Sequence, residues 1–285
     1  MGVIHSEGQV RTMATKKIVL LTGASSGIGY KTAELLASLD YKVYGAARRV
    51  EKMASLSVLG ITPIEMDVTD EISINQAVQK IIDQEGRIDV LINNAGYGSY
   101  GAIENVTLEE AKRQFDTNLF GVARLVQLVM PYMREQHAGK IINISSMAGR
   151  VTTYMGAWYH ATKYALEAFS DALRMEVKPF GVAVVLVEPG GIKTDWGIIA
   201  AEHLRDTSQN TAYSEHALAA ADRMHKLYSS DKLTDPSVIA GTIVKAVESK
   251  RPRARYLVGY GAKFSVFLHT ILPAKVFDKI VQKLI

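Results

Sequence analysis

Residues 22–29 read Thr-Gly-Ala-Ser-Ser-Gly-Ile-Gly, and this glycine-rich stretch follows an apolar run at 18–22. The run has the length and composition of a buried strand, and apolar residues then recur at helical spacing along 28–39. Glycines let a backbone turn tightly and approach a phosphate, while a helix N-terminus offers free N–H groups and partial positive charge. A strand, this turn and a helix in succession predict a nucleotide-binding α/β unit, although the glycine spacing differs from the commonest fingerprint. The predicted phosphate contacts are Gly23, Ser25, Ser26, Gly27, Ile28 and Gly29.

Strand-like and helix-like segments alternate through the rest of the chain. Further strands are predicted at 42–47, 62–66, 88–93, 141–145, 182–187 and 255–258, with helices at 71–84, 107–136, 156–178 and 235–249. Several strands are nearly all apolar, as expected when both faces of a sheet are covered. The pattern predicts an α/β fold, a single doubly wound domain with a mostly parallel seven-stranded sheet and helices on both faces.

The ends of this domain and one insertion are also predicted. The domain is expected to span 17–285 with a helical tail, after an N-terminal extension at 1–16. The extension begins Met1-Gly2, which formally fits an N-myristoylation pattern, and we favour a plain extension. Residues 196–230 are less regular and follow the sixth strand, so they are expected to form a substrate lid at the carboxyl edge of the sheet.

The composition excludes several classes of protein. The chain has 285 residues, 48% hydrophobic and 22% charged, as is usual for a globular protein. A net charge of +4 is too small to indicate nucleic-acid binding, and no nucleic-acid recognition motif is evident. Because cysteine is absent, disulfides, thiolate metal sites and cysteine nucleophiles are excluded, and no metal site is predicted. No apolar run approaches the roughly 20 residues that span a bilayer, and the expected location is the cytoplasm.

Two arginines stand where the second strand is predicted to end. A unit that binds NAD usually carries an acid about 20 residues after the glycines, to accept the ribose 2′-hydroxyl. Here the segment ends in Arg48 and Arg49, with no acid. Guanidinium groups are suited to a 2′-phosphate, because they offer bidentate, charged donors. The sequence therefore predicts NADP(H) as the cofactor, the alternative being a solvated pair of arginines at a helix start.

A tyrosine and a lysine lie one helical turn apart, at Tyr159 and Lys163. A free tyrosine has a pKa near 10, and a fixed ammonium group nearby would lower that pKa and prepare the hydroxyl for proton exchange. This spacing is common on ordinary helices. The pair indicates a catalytic site more strongly when it is taken with Ser146, thirteen residues before the tyrosine, and with Asn118 further upstream.

The sequence resembles the short-chain dehydrogenase/reductase family from about residue 17 to residue 285. Several motifs occur in the order and spacing of that family. They are the glycine turn at 22–29, Asn93-Asn94-Ala95-Gly96, the tetrad of Asn118, Ser146, Tyr159 and Lys163, and Pro189-Gly190 with Thr194. The resemblance implies an oxidoreductase that interconverts a carbonyl and an alcohol by hydride transfer.

The resemblance also implies roles for individual residues. Tyr159 would be the general acid or base, and Ser146 would polarise the substrate oxygen. Lys163 would hold the nicotinamide ribose and lower the pKa of Tyr159, while Asn118 would anchor a water. Further cofactor contacts are implied for Asp67 and Val68 at the adenine, for Asn94, Ala95 and Gly96, and for Pro189, Gly190, Ile192 and Thr194 near the carboxamide. Asn93 is interpreted as structural, and His160 as structural or substrate-lining.

The substrate and partners are less strongly indicated. Residues 94–98 and 251–256 look similar to a branch related to 17β-hydroxysteroid and retinol dehydrogenases, which implies a bulky, apolar small-molecule carbonyl or alcohol. Alternatives are a non-catalytic NADP(H) sensor or scaffold, and a peripheral lipid-carbonyl reductase held by its tail. The tail carries apolar residues at helical spacing among lysines. We favour its packing on the domain or a second subunit over a membrane surface, and family resemblance implies a homodimer or homotetramer.

Overall fold

Seven strands form one parallel sheet in the computed structural model, which describes residues 16–284. The strand order is β3-β2-β1-β4-β5-β6-β7. The strands are β1 (Ile18–Thr22), β2 (Lys42–Ala47), β3 (Thr62–Glu65), β4 (Val90–Asn93), β5 (Gly139–Ile144), β6 (Val182–Pro189) and β7 (Arg255–Val258). The predicted seven-stranded fold is confirmed, and each strand lies within about two residues of its predicted bounds. The predicted N-terminal extension and the Gly2 motif lie outside the described residues, apart from Lys16.

Helices cover both faces of this sheet. They are α1 (Gly27–Ser38), α2 (Ala54–Ser57), α3 (Glu71–Glu85), α4 (Leu108–Phe115), α5 (Gly121–Glu135), α6 (Ala157–Val177), α7 (Trp196–Ser208), α8 (Ser214–Tyr228), α9 (Pro236–Glu248), α10 (Ala262–Ile271) and α11 (Ala274–Leu284). Successive residues of β1 point into the cores on opposite faces of the sheet. Leu20 lies in the core that contains α3 and α5, and Leu21 lies in the core that contains α1 and α9. This alternation explains why the strand is apolar throughout.

Strand β1 lies at the point where the direction of winding reverses. It pairs with β2 on one side and with β4 on the other, so the connections leaving its two neighbours run to opposite edges of the sheet. Parallel sheets bind ligands in the crevice that this reversal opens at the carboxyl ends of the strands. The glycine turn follows β1 directly and therefore lies at that crevice.

The helix predicted at 107–136 is interrupted. Helix α4 ends at Phe115, the chain makes a π-helical turn over Asp116–Phe120, and α5 begins at Gly121. A π-helical turn holds one extra residue and often marks a functional site. Asn118 lies within it and is buried. The helical pattern of residues 107–136 does not indicate this break.

The segment expected to be irregular after β6 is in fact a pair of helices, α7 and α8. Small buried side chains on both helices, including Ala200, Ala201 and Ala217, form a core cluster with Tyr100 and Tyr159. Alanines allow the two helices to lie close together and still pack on the aromatic rings. The expectation of irregular structure is wrong, but the segment does cover the carboxyl edge of the sheet, where a lid was predicted.

The C-terminal helices α10 and α11 pack on the domain by one side only. Val266 and Phe277 are buried with Val151, which agrees with the favoured interpretation of the tail. Four other apolar residues of the tail are exposed, namely Phe264, Phe267, Ile271 and Val276. Contact of this outer face with a second subunit or a membrane surface stays a prediction. Across residues 16–284 we find no helix both long and apolar enough to cross a bilayer.

Candidate active site

The glycine turn is held by hydrogen bonds from the end of β4. The side-chain Nδ2 of Asn94 donates to the carbonyl oxygens of Thr22 (3.0 Å) and Gly23 (3.2 Å). In return, the Thr22 hydroxyl accepts from the backbone N–H groups of Asn94 (3.0 Å) and Ala95 (2.9 Å). Asn94 therefore braces the turn as well as lining the cleft, which goes beyond the contact predicted for it.

Two glycines of the turn are required by its geometry. Gly23 has φ +68°, a left-handed conformation that glycine adopts without strain. A Cβ atom on Gly29 would lie 2.2 Å from the carbonyl oxygen of Gly23, so only glycine allows the first turn of α1 to pack there. Ser26 makes no side-chain bond to the N-terminus of α1, and the first turn of that helix holds no acid. The N–H groups at this end therefore remain directed at an anionic ligand.

A single cleft of about 1330 Å³ extends from this turn along the carboxyl ends of the strands. It exceeds the roughly 300–1,000 Å³ of usual small-molecule pockets, so it has room for a dinucleotide and a substrate together. Nearly all the predicted cofactor residues line it. They are Gly23, Ser25, Ser26, Gly27, Ile28, Arg48, Arg49, Asp67, Val68, Asn94, Ala95, Gly96, Pro189, Gly190, Ile192 and Thr194. The residues present thus fit a nicotinamide dinucleotide.

Two predicted residues support the cleft without lining it, Gly29 and Asn118. The side chain of Asn118 donates to the carbonyl oxygen of Tyr97 (2.9 Å) and to the Thr162 hydroxyl (3.0 Å). Its Oδ1 accepts from the backbone N–H of Tyr97 at 3.1 Å. These contacts fix the loop after β4 to helix α6, and the water predicted at Asn118 stays a prediction.

The sequence reasoning missed some of the lining residues. Lys52 and Thr69 border the cleft near the arginines and Asp67, and Tyr100 and Tyr228 border its other end. Lys52 follows Arg48 by four residues in a short helical stretch, a spacing that could have indicated a third cation near the 2′-phosphate position. The two tyrosines belong to segments that only the tertiary fold brings together.

Lys163 reaches the floor of the cleft from helix α6. Its Nζ donates to the carbonyl oxygen of Ile144 at 2.9 Å and lies 5.9 Å from the centre of the Tyr159 ring. Burial lowers the pKa of Lys163 to about 8, and the charge of Glu167 one turn away opposes that shift. The ammonium group is thus weakly acidic and lies beside the tyrosine, as the spacing predicted.

The pKa of Tyr159 is shifted in the direction opposite to the one predicted. Burial raises this pKa above its usual value near 10, Tyr100 adds to the rise, and a hydrogen bond from Ser146 opposes it. The expected lowering by Lys163 is not seen, because desolvation and the neighbouring tyrosines set the direction of the shift. Tyr159 is a protonated phenol at neutral pH, which is the form that donates a proton to a carbonyl oxygen.

Ser146 is fixed at the start of the loop after β5. Its hydroxyl accepts from the backbone N–H of Ala148 (3.1 Å) and lies 3.4 Å from the carbonyl oxygen of Pro189. The serine therefore links the tyrosine to the segment predicted to contact the nicotinamide. Ser146, Tyr159 and Lys163 all line the same end of the cleft, as predicted.

Aromatic rings form the wall around Tyr159. Its ring centre lies 4.9 Å from that of Trp196 and 6.0 Å from that of Tyr100, and Tyr228 lies behind Trp196 at 6.1 Å. A Cβ atom on Gly98 would lie 2.4 Å from the Trp196 ring, so a glycine is needed for this contact. The substrate end of the cleft is consequently apolar and presents flat rings on several sides.

His160 is part of the frame of the site. Its Nε2 accepts from the backbone N–H of Thr153 at 3.0 Å, and its Nδ1 lies 3.0 Å from the carbonyl oxygen of Ala148. This pattern fits a neutral ring protonated on Nδ1, and burial lowers the pKa of His160. These contacts agree with the interpretation of His160 as structural. Asn93 also has a structural contact, since its side chain donates to that of Asn143 at 2.8 Å.

The profile of the family described as short chain dehydrogenase matches residues 17–204. The chain belongs to this family. A 3-ketodihydrosphingosine reductase of Bacteroides thetaiotaomicron is 40% identical over 244 residues, covering 85% of this chain and 88% of that protein. The protein is therefore a short-chain dehydrogenase/reductase oxidoreductase, and this membership does not favour the non-catalytic alternative.

Solved structures agree with this assignment. A short-chain dehydrogenase from Streptomyces avermitilis superposes with a TM-score of 0.78 at 31% identity, over 90% of this chain and 93% of that one. A metagenomic short-chain oxidoreductase in complex with NADP gives a TM-score of 0.66 at 26% identity, over 85% and 96% of the two chains. A nicotinamide cofactor is thus supported by the family as well as by the cleft.

Proposed function

We propose that this short-chain dehydrogenase/reductase uses NADPH to reduce a ketone carried by a bulky, apolar small molecule. The observation that carries the proposal is the buried Tyr159 at the inner end of the cleft, which Ser146 and Lys163 also line and which Trp196 and Tyr100 enclose. In the direction of reduction the tyrosine hydroxyl gives its proton to the carbonyl oxygen while the carbon gains a hydride, and the ratio of NADPH to NADP+ sets the direction of net turnover.

Three side chains of the protein have separate roles in this reaction. The bound nicotinamide would supply the hydride. Tyr159 would give its hydroxyl proton to the substrate oxygen, and Ser146 would donate a hydrogen bond to that oxygen as negative charge develops. Lys163 would bind the ribose and hold a positive charge beside the phenolate left on Tyr159, which then regains a proton from solvent.

The apolar rings near Tyr159 support a substrate whose ketone is attached to a long hydrocarbon. The relative from B. thetaiotaomicron is named for reducing 3-ketodihydrosphingosine, and its likeness to this chain favours a lipid-derived ketone. The steroid and retinoid branch suggested by 94–98 and 251–256 would use the same apolar surfaces. Both classes therefore belong among the substrates to be compared.

The test is the loss of NADPH absorbance with a panel of long-chain 3-ketones, ketosteroids, retinal, quinones and short ketones, with NADH in parallel. We expect turnover of long-chain or polycyclic ketones, and much slower turnover of short ones, because only the former fill the aromatic end of the cleft. Turnover confined to short, polar carbonyls would contradict the proposed substrate class. NADPH binding without turnover of any carbonyl would contradict the proposed reaction.

The arginines at the end of β2 lead to a prediction about cofactor preference. Both side chains are exposed at the rim of the cleft, where a 2′-phosphate would give them an anionic partner. We expect Arg48→Ala to weaken NADPH binding by roughly 10- to 100-fold and NADH binding by less than about 2-fold, since a hydrogen bond to a charged group contributes about 1.5–3 kcal/mol. Titration calorimetry with both cofactors measures this.

Arg251→Ala is the matched control, because it removes the same charge from an exposed position outside the cleft. It should leave the binding of both cofactors as it was. Equal losses of NADPH and NADH affinity in Arg48→Ala would overturn the assignment of Arg48 to the 2′-phosphate.

A further inference from the structure

A buried group of charged residues lies behind the catalytic lysine, on three neighbouring elements. The guanidinium of Arg255 on β7 contacts Glu167 on α6 and Glu188 on β6, with its Nε 3.0 Å from Glu167 Oε2 and 3.1 Å from Glu188 Oε1. The Glu188 side chain is wholly buried and that of Glu167 nearly so. Such a group is costly to bury and persists only when its charges are well compensated.

The arginines nearest the two glutamates also have other contacts. Arg255 binds Asp171 through its Nη2, at 2.6 Å, and Arg150 reaches Glu188 only at 3.4 Å and is partly exposed. One oxygen of each glutamate, Glu167 Oε1 and Glu188 Oε2, is buried with no hydrogen-bond partner among residues 16–284. A carboxyl group that is wholly buried with one oxygen unpartnered, as in Glu188, favours its neutral form.

Three members of the group adjoin parts of the active site along the chain. Glu188 immediately precedes the Pro189-Gly190 segment, and Glu167 follows Lys163 by one turn of α6. Arg150 ends the short loop that begins at Ser146.

That loop lies directly against the group of charges. A Cβ atom on Gly149 would be 2.8 Å from Glu167 Cγ and 3.0 Å from the Ser145 hydroxyl, so the loop has no room to shift towards α6. The charges therefore connect the serine loop, the lysine helix and the nicotinamide segment.

We propose that Arg255 and Glu188 are positioning residues, which fix the serine loop, helix α6 and the segment after β6 relative to one another, with the buried Glu188 carboxyl in its neutral form. The inference rests on the proposed function, since it assigns these residues a role in placing Ser146, Lys163 and the nicotinamide segment. None of the charged residues in the group touches the substrate or the reacting atoms in this scheme.

The buried Glu188 carboxyl gives the arrangement a defined dependence on pH. Burial raises the pKa of Glu188 from 4.5 to about 7, and the neighbouring charge of Glu167 adds to the rise, while Arg150 and Arg255 oppose it. Because the folded-state pKa is the higher one, the protonated Glu188 carboxyl stabilises the fold fully below about pH 4.5. That stabilisation is lost as the pH rises through about 7.

The first test is the melting temperature of Glu188→Gln as a function of pH. Glutamine keeps the shape and the hydrogen bonding of the protonated acid but cannot ionise. The Tm of the variant minus that of the wild type should therefore increase by at least about 4 °C between pH 5 and pH 8.5. Arg174→Met is the control, because Arg174 binds Asp171 at 2.5 Å but neither glutamate, and its Tm difference should not change with pH in this way.

The second test separates positioning from mere support of the fold. Arg255→Met should lower kcat by at least about tenfold at temperatures well below its Tm, since small misplacements of reacting groups are costly. Its KM for NADPH should change by a smaller factor than kcat, because the glycine turn and Arg48, which are expected to hold the phosphates, are remote from the change. The kcat of the wild type should fall as the pH rises through about 7. The kcat of Glu188→Gln should not fall over this range.

The outcomes distinguish this inference from the proposed function. A Tm difference that stays constant with pH in Glu188→Gln would overturn the neutral form of Glu188, whether or not a substrate has been found. A pH-dependent Tm difference with a kcat profile like that of the wild type would overturn the positioning role. If no carbonyl is reduced at all, the proposed function fails, while the melting experiment still decides on the protonation of Glu188.

Discussion

Replacing Tyr159 with phenylalanine is expected to lower kcat by about 10³-fold while leaving the affinity for NADPH within about twofold. Positioned general acids typically contribute 10²- to 10⁴-fold to a reaction, and this substitution removes the only atom that transfers the proton. The ring itself would keep its contacts with Trp196 and Tyr100, so the apolar wall of the cleft should stay intact. Steady-state rates and fluorescence titration with NADPH give the two quantities.

Tyr164→Phe is the matched control for this experiment. Tyr164 lies on the same helix, α6, but its side chain is exposed on the outside of the domain. Removal of its hydroxyl should leave kcat unchanged. A Tyr159→Phe enzyme that kept more than about a tenth of the wild-type kcat would show that another group donates the proton.

Gly29→Ala is expected to weaken NADPH binding by roughly 10- to 100-fold. The added methyl group would lie 2.2 Å from the Gly23 carbonyl oxygen and 2.5 Å from the Asn94 Nδ2. Both neighbours are part of the turn and its brace, so the backbone must open to relieve the overlap. Overpacking of this kind typically costs 1–3 kcal/mol or more, and the cost here falls on the phosphate-binding conformation.

Gly241→Ala provides the comparison, because a Cβ atom on that residue of α9 meets nothing within 4 Å. Alanine is preferred to glycine inside a helix by about 1 kcal/mol, so this variant should be slightly more stable and should bind NADPH normally. If Gly29→Ala bound NADPH as tightly as Gly241→Ala, the glycine turn would not be the site that holds the pyrophosphate.

Local patterns were sufficient to predict most of the fold. Strands such as β1 and β2 are bounded by the residues at which their apolar runs begin and end, because burial on both faces selects for continuous hydrophobicity. The placement of Ser146, Tyr159 and Lys163 at one end of a cleft was also predicted. Those residues follow or face the carboxyl ends of parallel strands, and the topology brings such positions together.

Other features depend on tertiary contacts and could not be predicted in this way. The π-helical turn around Asn118 occupies only five residues of 107–136, so the stretches before and after it still have the pattern of helices. Helices α7 and α8 are held by buried alanines, which give a weak periodic signal. The pKa of Tyr159 is raised chiefly by burial and then by Tyr100, which is distant in sequence, so a rule based on Lys163 alone predicted the wrong sign for this shift.

The brace that Asn94 and Thr22 form around the glycine turn bears on how quickly a cofactor is captured. Because the protein's own hydrogen bonds already hold this backbone in its phosphate-binding shape, little conformational entropy remains to be lost when the dinucleotide arrives. Nearly every protein molecule in solution then has the binding-competent conformation, so the affinity for the cofactor is not reduced by the need to select a rare conformer. Association at this end of the cleft should therefore follow a single fast phase, without a slow rearrangement.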